Sequence, residues 1–132
     1  MAKLRHIAML VEDMEGTATF YEKAFGMTRA RQTPTAIAMT DGTMSLVIIH
    51  PSNVNMKGET VRGLHHIGFL IDDMAKVTES VESSGGKFIG GILGTGSGLE
   101  TERKYTDPNG VNFDITMPEY ARDFWKIPVD AA

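Results

Sequence analysis

The stretch Leu4-Arg5-His6-Ile7-Ala8-Met9-Leu10-Val11-Glu12-Asp13-Met14 returns sixty residues later as Leu64-His65-His66-Ile67-Gly68-Phe69-Leu70-Ile71-Asp72-Asp73-Met74. Leucine, histidine, isoleucine, leucine, aspartate and methionine recur identically, and the apolar or small character of most other positions is kept. Self-similarity at a fixed offset decides an architecture before any single segment does. Each copy reads as a strand followed by a helix. Asp13 and Asp73 are N-cap residues, and apolar residues follow at helical spacing (Met14, Ala18, Tyr21, Phe25; Met74, Val77, Val81). Both helices are expected to stop at a glycine, Gly26 and Gly86, again sixty apart.

Short β-prone runs come after each helix: 27–32, 35–40 and 45–50 in the first copy, 87–93, 101–106 and 111–117 in the second. Asp41-Gly42 and Asn109-Gly110 carry the residue types that two-residue hairpins select. They lie 68 apart, so the second copy has gained eight residues, which the glycine-rich run from Gly90 to Gly98 accounts for. The expected fold class is α+β. One 132-residue domain holds two tandem βαβββ modules, about 1–50 and 64–117, joined by a polar linker over 51–63 and followed by a C-terminal helix and tail over 118–132. Tyr120, Phe124 and Trp125 are apolar contacts of that last helix, serving core or dimer packing.

Composition narrows the chemistry. The chain has no cysteine, which excludes a disulfide scaffold, a thiolate metal site and a cysteine nucleophile, and leaves histidine and carboxylate to hold any metal. Thirteen basic against 17 acidic residues give a formal charge of −4 with no dense basic stripe, so nucleic acid is not an expected partner. No apolar run is long enough for a membrane span, and the N-terminal one is soon broken by Glu12 and Asp13; a cytoplasmic location is expected.

Side chains alternate along a strand, so Ile7, Met9 and Val11 share one face and His6, Ala8 and Leu10 the other. With the bulky set turned to the helix, His6 faces the opposite, concave side, and the repeat puts His66 in the equivalent place. His65 falls on the wrong parity. In the last strand Asp114 sits among apolar neighbours, where a carboxylate is expensive to desolvate unless something positive meets it. Two neutral imidazoles and a carboxylate converging from three strands would bind a divalent metal and leave positions open for substrate or water. The expected ligands are His6, His66 and Asp114.

On these residues the chain resembles the vicinal oxygen chelate superfamily, which includes lactoylglutathione lyase, fosfomycin-resistance transferases, methylmalonyl-CoA epimerase, extradiol dioxygenases and metal-free bleomycin-binding proteins. The matching pieces are the stretch from His6 to Met14 with Phe20-Tyr21 and Phe25-Gly26-Met27, then His66-Ile67-Gly68-Phe69, then the run from Asp107 to Ile115. The resemblance implies a curved, partly open, barrel-like sheet around a metal and substrate cavity. It also implies a homodimer, a divalent ion (Fe2+, Mn2+, Zn2+, Ni2+ or Co2+), and a small substrate chelating that ion through adjacent oxygens. The reaction is expected to be of glyoxalase-like lyase or isomerase type, or of dioxygenase type; the alternative is metal-free binding of a small molecule such as an antibiotic.

The family's fourth ligand position falls on Leu46 or Val47, neither able to bind metal, and Asp114 replaces the usual glutamate. The tyrosine that dioxygenases carry before the Asp-Pro turn is replaced by Lys104, with Tyr105 one residue later. Tyr105 and Glu102 are the candidates for acid or base work, against a plain role as solvent-facing strand residues. His50, beside Pro51, is expected to be structural. The glycine-rich run lacks both the P-loop and the dinucleotide spacing and is expected to be a mobile loop at the cavity mouth.

Overall fold

The computed structural model describes residues 2–94 and 98–129. The first module is β1 (Lys3–Leu10), α1 (Met14–Phe25), β2 (Thr28–Thr33), β3 (Ala36–Thr40) and β4 (Ser45–Ile49). The second is β5 (Gly63–Leu70), α2 (Met74–Ser83), β6 (Lys87–Leu93), β7 (Glu100–Thr106) and β8 (Asn112–Thr116). A 3-10 turn (Val54–Met56) lies between them, and α3 (Pro118–Tyr120) runs directly into a π-helical turn (Ala121–Trp125). The strands form one curved, open, mixed sheet in the order β2-β3-β4-β1-β5-β8-β7-β6.

Each helix begins where its aspartate accepts a backbone hydrogen bond, Asp13 from Gly16 N at 2.9 Å and Asp73 from Lys76 N at 3.0 Å. α1 ends as the repeat predicts, with Gly26 in the left-handed conformation at φ 69°. α2 ends earlier, at Ser83, and Gly85 takes the positive φ of 102°. The run Ser83-Ser84-Gly85-Gly86 is a poor helix former, so the last turn is lost. Both hairpins occur where expected but with longer loops, because Asp41 and Asp107 each fold the backbone onto their own carboxylate. Asp41 Oδ1 accepts from Thr43 N and Met44 N, and Asp107 Oδ1 from Asn109 N and Val111 N.

The modules meet at an antiparallel β1–β5 ladder in which Ile7 faces Ile67, His6 faces Gly68 and Ala8 faces His66. Directly paired residues share a sheet face, so this register sets both histidines on one face, diagonal across the Ile7–Ile67 pair. The opposite face packs on the helices: Met9, Val11, Met14, Tyr21 and Leu46 surround Ala18, Ile37, Met39 and Ile48 in module one. Phe69, Met74, Val77, Val81 and Phe113 surround Ile71, Tyr105 and Ile115 in module two.

The concave face is closed at its two ends by apolar groups. Met56 packs with Ala8, Leu10 and Ile49 at one end, and Trp125, Ala121 and Ile127 pack with Leu70 at the other. The C-terminal helix therefore does core work, as its aromatic residues suggest. The run expected as a loop from Gly90 to Gly98 is in part strand, since Gly90, Gly91, Ile92 and Leu93 belong to β6 and pair with β7; Thr95, Gly96 and Ser97, on which its reading as a loop at the cavity mouth depends, lie outside the described residues.

Candidate metal centre

His6, His66 and Asp114 come together on the concave face, and all three are buried. His6 Nε2 lies 3.3 Å from His66 Nε2, and His66 Nε2 lies 3.1 Å from Asp114 Oδ2. One ligand atom from each falls within 4.8 Å of the others. A metal bound at about 2.0–2.2 Å by such donors sets neighbouring ligand atoms roughly 3.0–3.4 Å apart, so the two printed spacings fit a common ion. The donor chemistry fits as well, since two imidazoles and a carboxylate are donors that suit a divalent ion.

The sheet explains the convergence. Asp114 pairs with Gly68 across β5–β8, and Gly68 pairs with His6 across β1–β5, so a single cross-strand row carries ligands in from both sides of a glycine. A Cβ on Gly68 would lie 2.8 Å from His6 Cδ2, 2.9 Å from His6 Cβ and 3.0 Å from the Trp125 ring. That position must stay empty of side chain for the histidine to lie across it.

The pairing also settles the fourth position. Val47 faces Ala8 as Asp114 faces Gly68, making Val47 the counterpart of Asp114, whereas Leu46 points to the α1 side. Val47 lines the cavity and offers it only methyl groups.

Neighbouring groups orient the candidate ligands. His6 Nδ1 is 3.3 Å from Ser45 Oγ, its pairing partner on β4, and the His6 ring stacks on the Trp125 indole at 4.3 Å between centroids and 11° between planes. His66 Nδ1 is 2.7 Å from His65 Nδ1. Parity expected His65 on the opposite face, but β5 is bulged there, Ala8 pairing with His66 and Met9 with Leu64, so the His65 ring comes back against the His66 ring; its Nε2 approaches Glu59 Oε1 at 3.3 Å. Holding the distal nitrogen of a ligating histidine fixes its tautomer and ring orientation. Ser45, His65 and Trp125 are not identified by strand parity; Ser45 and His65 become recognisable only once the β1–β4 register and the adjacent-histidine contact are known.

Lys104 stands between two carboxylates, with Nζ 3.2 Å from Asp114 Oδ1 and 3.1 Å from Glu102 Oε1. Thr116 Oγ1 donates to Glu102 Oε2 at 2.9 Å. Glu102 is 2% exposed and lines the cavity, so it is a wall residue of the site and not a solvent-facing one. Burial, with the nearby Asp114 charge, pushes its carboxyl above the usual range in spite of Lys104 and Thr116. Tyr105 is not brought to the site. It lies fully buried on the helix side of the sheet, stacked on Phe113, with its hydroxyl donating to Glu82 Oε2 at 2.6 Å. The one-residue offset from Lys104 reverses its face. His50 bonds Ser52 at the end of β4 and does not line the cavity, in keeping with a structural role.

The cavity has a volume of about 260 Å3, and besides the triad its walls include Arg31, Ala38, Val47, Asn53, Glu102, Lys104, Tyr120 and Trp125. Burial, reinforced by His66, pushes the His6 imidazole down to about 3 against the opposing pull of Asp114, so it is a neutral donor at physiological pH. The consequence for stability has a definite sign. Unfolded, this imidazole takes up a proton near pH 6.5; folded, it resists one until about pH 3. Between those values the unfolded chain binds more protons, and metal-free protein should lose stability as pH falls through that window. Thermal melts in the presence of chelator should show this decline between pH 7 and 4.5, and His6→Asn should flatten it; equal slopes for both proteins would refute the assignment.

Among the described residues no helix is long and apolar enough to cross a membrane. The fold is shared with solved structures of low sequence identity. A hypothetical protein from Bacillus halodurans C-125 matches with a TM-score of 0.67 at 16% identity, covering 88% of this chain and 94% of that one. Methylmalonyl-CoA epimerase from Mycobacterium tuberculosis matches at 0.68 and 16%, covering 87% of each chain. A methylmalonyl-CoA epimerase solved with methylmalonyl-CoA and NH4+ matches at 0.67 and 17%, covering 89% of this chain and 94% of that one. No curated protein matches the chain. The family model described as Glyoxalase/Bleomycin resistance protein/Dioxygenase superfamily matches residues 3–115, and with the module repeat and the buried triad in place the chain belongs to that superfamily.

Proposed function

We propose that this protein is a divalent-metal-dependent enzyme that moves a proton on a small substrate held through two adjacent oxygens. The observation that carries the reading is the buried His6–His66–Asp114 triad with Glu102 in the same cavity wall. A divalent ion held by the triad would supply a Lewis acid for the substrate oxygens. The chain itself supplies the rest. Val47 leaves the fourth ligand position to substrate or water, Lys104 holds Asp114 and Glu102 in place, and the Glu102 carboxylate in the cavity wall is the proton acceptor. A carboxyl raised by burial suits such work near neutral pH. Tyr105, bonded to Glu82 behind the sheet, has no part in it.

The similarity to methylmalonyl-CoA epimerases directs the first substrates to test: 2-methyl CoA thioesters beside 2-oxo and 2-hydroxy acids. Exchange of the substrate α-hydrogen in D2O, followed by NMR, detects the step before any product is known. Metal-loaded protein is expected to catalyse exchange, chelation to stop it, and Glu102→Gln to slow it by roughly 10²–10⁴-fold with metal content unchanged. Full exchange by E102Q would remove Glu102 from the mechanism.

Metal-free small-molecule binding is a second reading, favoured by one observation: Lys104 already compensates one oxygen of Asp114 without an ion. A purified protein that takes up no divalent metal would support it. The expected homodimer belongs to the same proposal, and the apolar groove between α2 and the sheet, lined by Ile67, Phe69, Val77 and Phe113, is the surface it would cover.

A further inference from the structure

We infer that the ligand of this cavity carries a carboxylate in addition to its metal-chelating oxygens, and that Arg31 receives it. The inference rests on the metal reading above and adds the chemistry of the substrate's other end.

Arg29 and Arg31 are two apart on β2 and by simple alternation would share a face. They do not, because the β2–β3 register slips between them: Arg29 pairs with Met39 and Arg31 with Ala38, leaving Ala30 as a bulge. Arg29 turns to the helix side, where it bonds Glu15 at 2.7 Å, Glu22 at 3.0 Å and Thr19 at 3.1 Å. Arg31 turns to the concave side and lines the cavity. Bulges commonly re-aim a side chain beside an active site.

Once there, the Arg31 guanidinium has no carboxylate partner and no hydrogen bond among the described residues. Its guanidinium lies 4.7 Å from the centre of the Phe124 ring, which orients the group while leaving its N–H donors unspent. The other cavity cation differs in this respect, since Lys104 is held by both Glu102 and Asp114. The modules place the two cations from different strands: Gly90 occupies the position on β6 that Arg31 has on β2, and Lys104 faces it as Ala38 faces Arg31.

Formal charge points the same way. Glu102 and Asp114 contribute two negative charges to the wall; Lys104 and Arg31 with a divalent ion contribute four positive ones. A loaded cavity thus carries a surplus of two positive charges, and a neutral ligand would leave a half-buried guanidinium uncompensated. A small organic acid with adjacent oxygens at one end and a separate carboxylate at the other meets both requirements. A planar fork of N–H donors fits that carboxylate through paired hydrogen bonds.

The test uses Zn2+-loaded protein and calorimetric titration with a series that shares one chelating end: oxalate, oxaloacetate, 2-oxoglutarate and 2-oxoadipate. At least one longer acid is expected to bind more tightly than oxalate. Arg31→Gln should weaken that acid about ten- to a hundredfold and leave oxalate unchanged, with Arg31→Lys intermediate. Zinc content of each variant is measured first. Loss of zinc in the wild type would refute the metal reading itself. Retained zinc with no acid outbinding oxalate, or with R31Q affecting all acids equally or none, would overturn the role of Arg31.

Discussion

His66→Ala should lower divalent-metal affinity by at least about a hundredfold, whereas His65→Ala, one residue away, should lower it only ten- to a hundredfold. The difference follows from the strand. His66 Nε2 sits between His6 Nε2 and Asp114 Oδ2 at the centre of the converging donors, so its loss removes a ligand and the link between the other two. His65 meets only the far nitrogen of the His66 ring, at 2.7 Å, so its loss frees that ring without deleting a donor. Trp125 is the single tryptophan of the chain and stacks on the His6 ring, which gives the measurement a built-in probe. Titration with Co2+ or Zn2+ should change its emission in the wild type, at higher metal concentration in the His65 variant, and not at all in the His66 variant. Wild-type affinity in H66A would place the metal elsewhere.

Much of this centre was legible in the sequence because the module repeats. A histidine at the same strand position in both copies puts two members of the buried triad on one face, and an unexplained carboxylate on the last strand supplies the third. Parity does not hold at His65, where a bulge in β5 brings its ring against His66. It fails where the register is irregular or the chain leaves the sheet. Alternation would set Arg31 beside Arg29, and only the bulge at Ala30 separates them. Leu46 and Val47 could not be told apart until the β1–β4 pairing was known. Glu102 and Tyr105, equally plausible as proton carriers in sequence, lie three residues apart and therefore on opposite faces; one lines the cavity and the other is tied to α2 through Glu82. The end of α2 was missed because equivalence to Gly26 outweighed the serine pair ahead of Gly85.

Trp125→Ala should destabilise the protein by about 3–5 kcal/mol and lower its melting temperature by more than about 10 °C. The side chain is 3% exposed and packs with Leu70, Ala121 and Ile127 while its ring covers His6. It therefore joins the C-terminal segment to the concave sheet at the candidate metal centre. Gly68 shows how closely that junction is fitted, since an added methyl there would strike both His6 and the indole. Truncation at residue 125 leaves the ring of His6 free to turn away from Asp114 and opens its imidazole to water. Two losses should then appear together: a lower melting temperature, and weaker metal binding measured by competition with a colorimetric chelator. Trp125→Phe, which keeps an aromatic ring over His6, should recover most of the metal affinity while remaining less stable than the wild type. A W125A protein that melts within about 2 °C of the wild type would show that the C-terminal turn is not part of the core. Full metal affinity in a destabilised W125A would instead confine the indole to packing and leave the orientation of His6 to Ser45 alone.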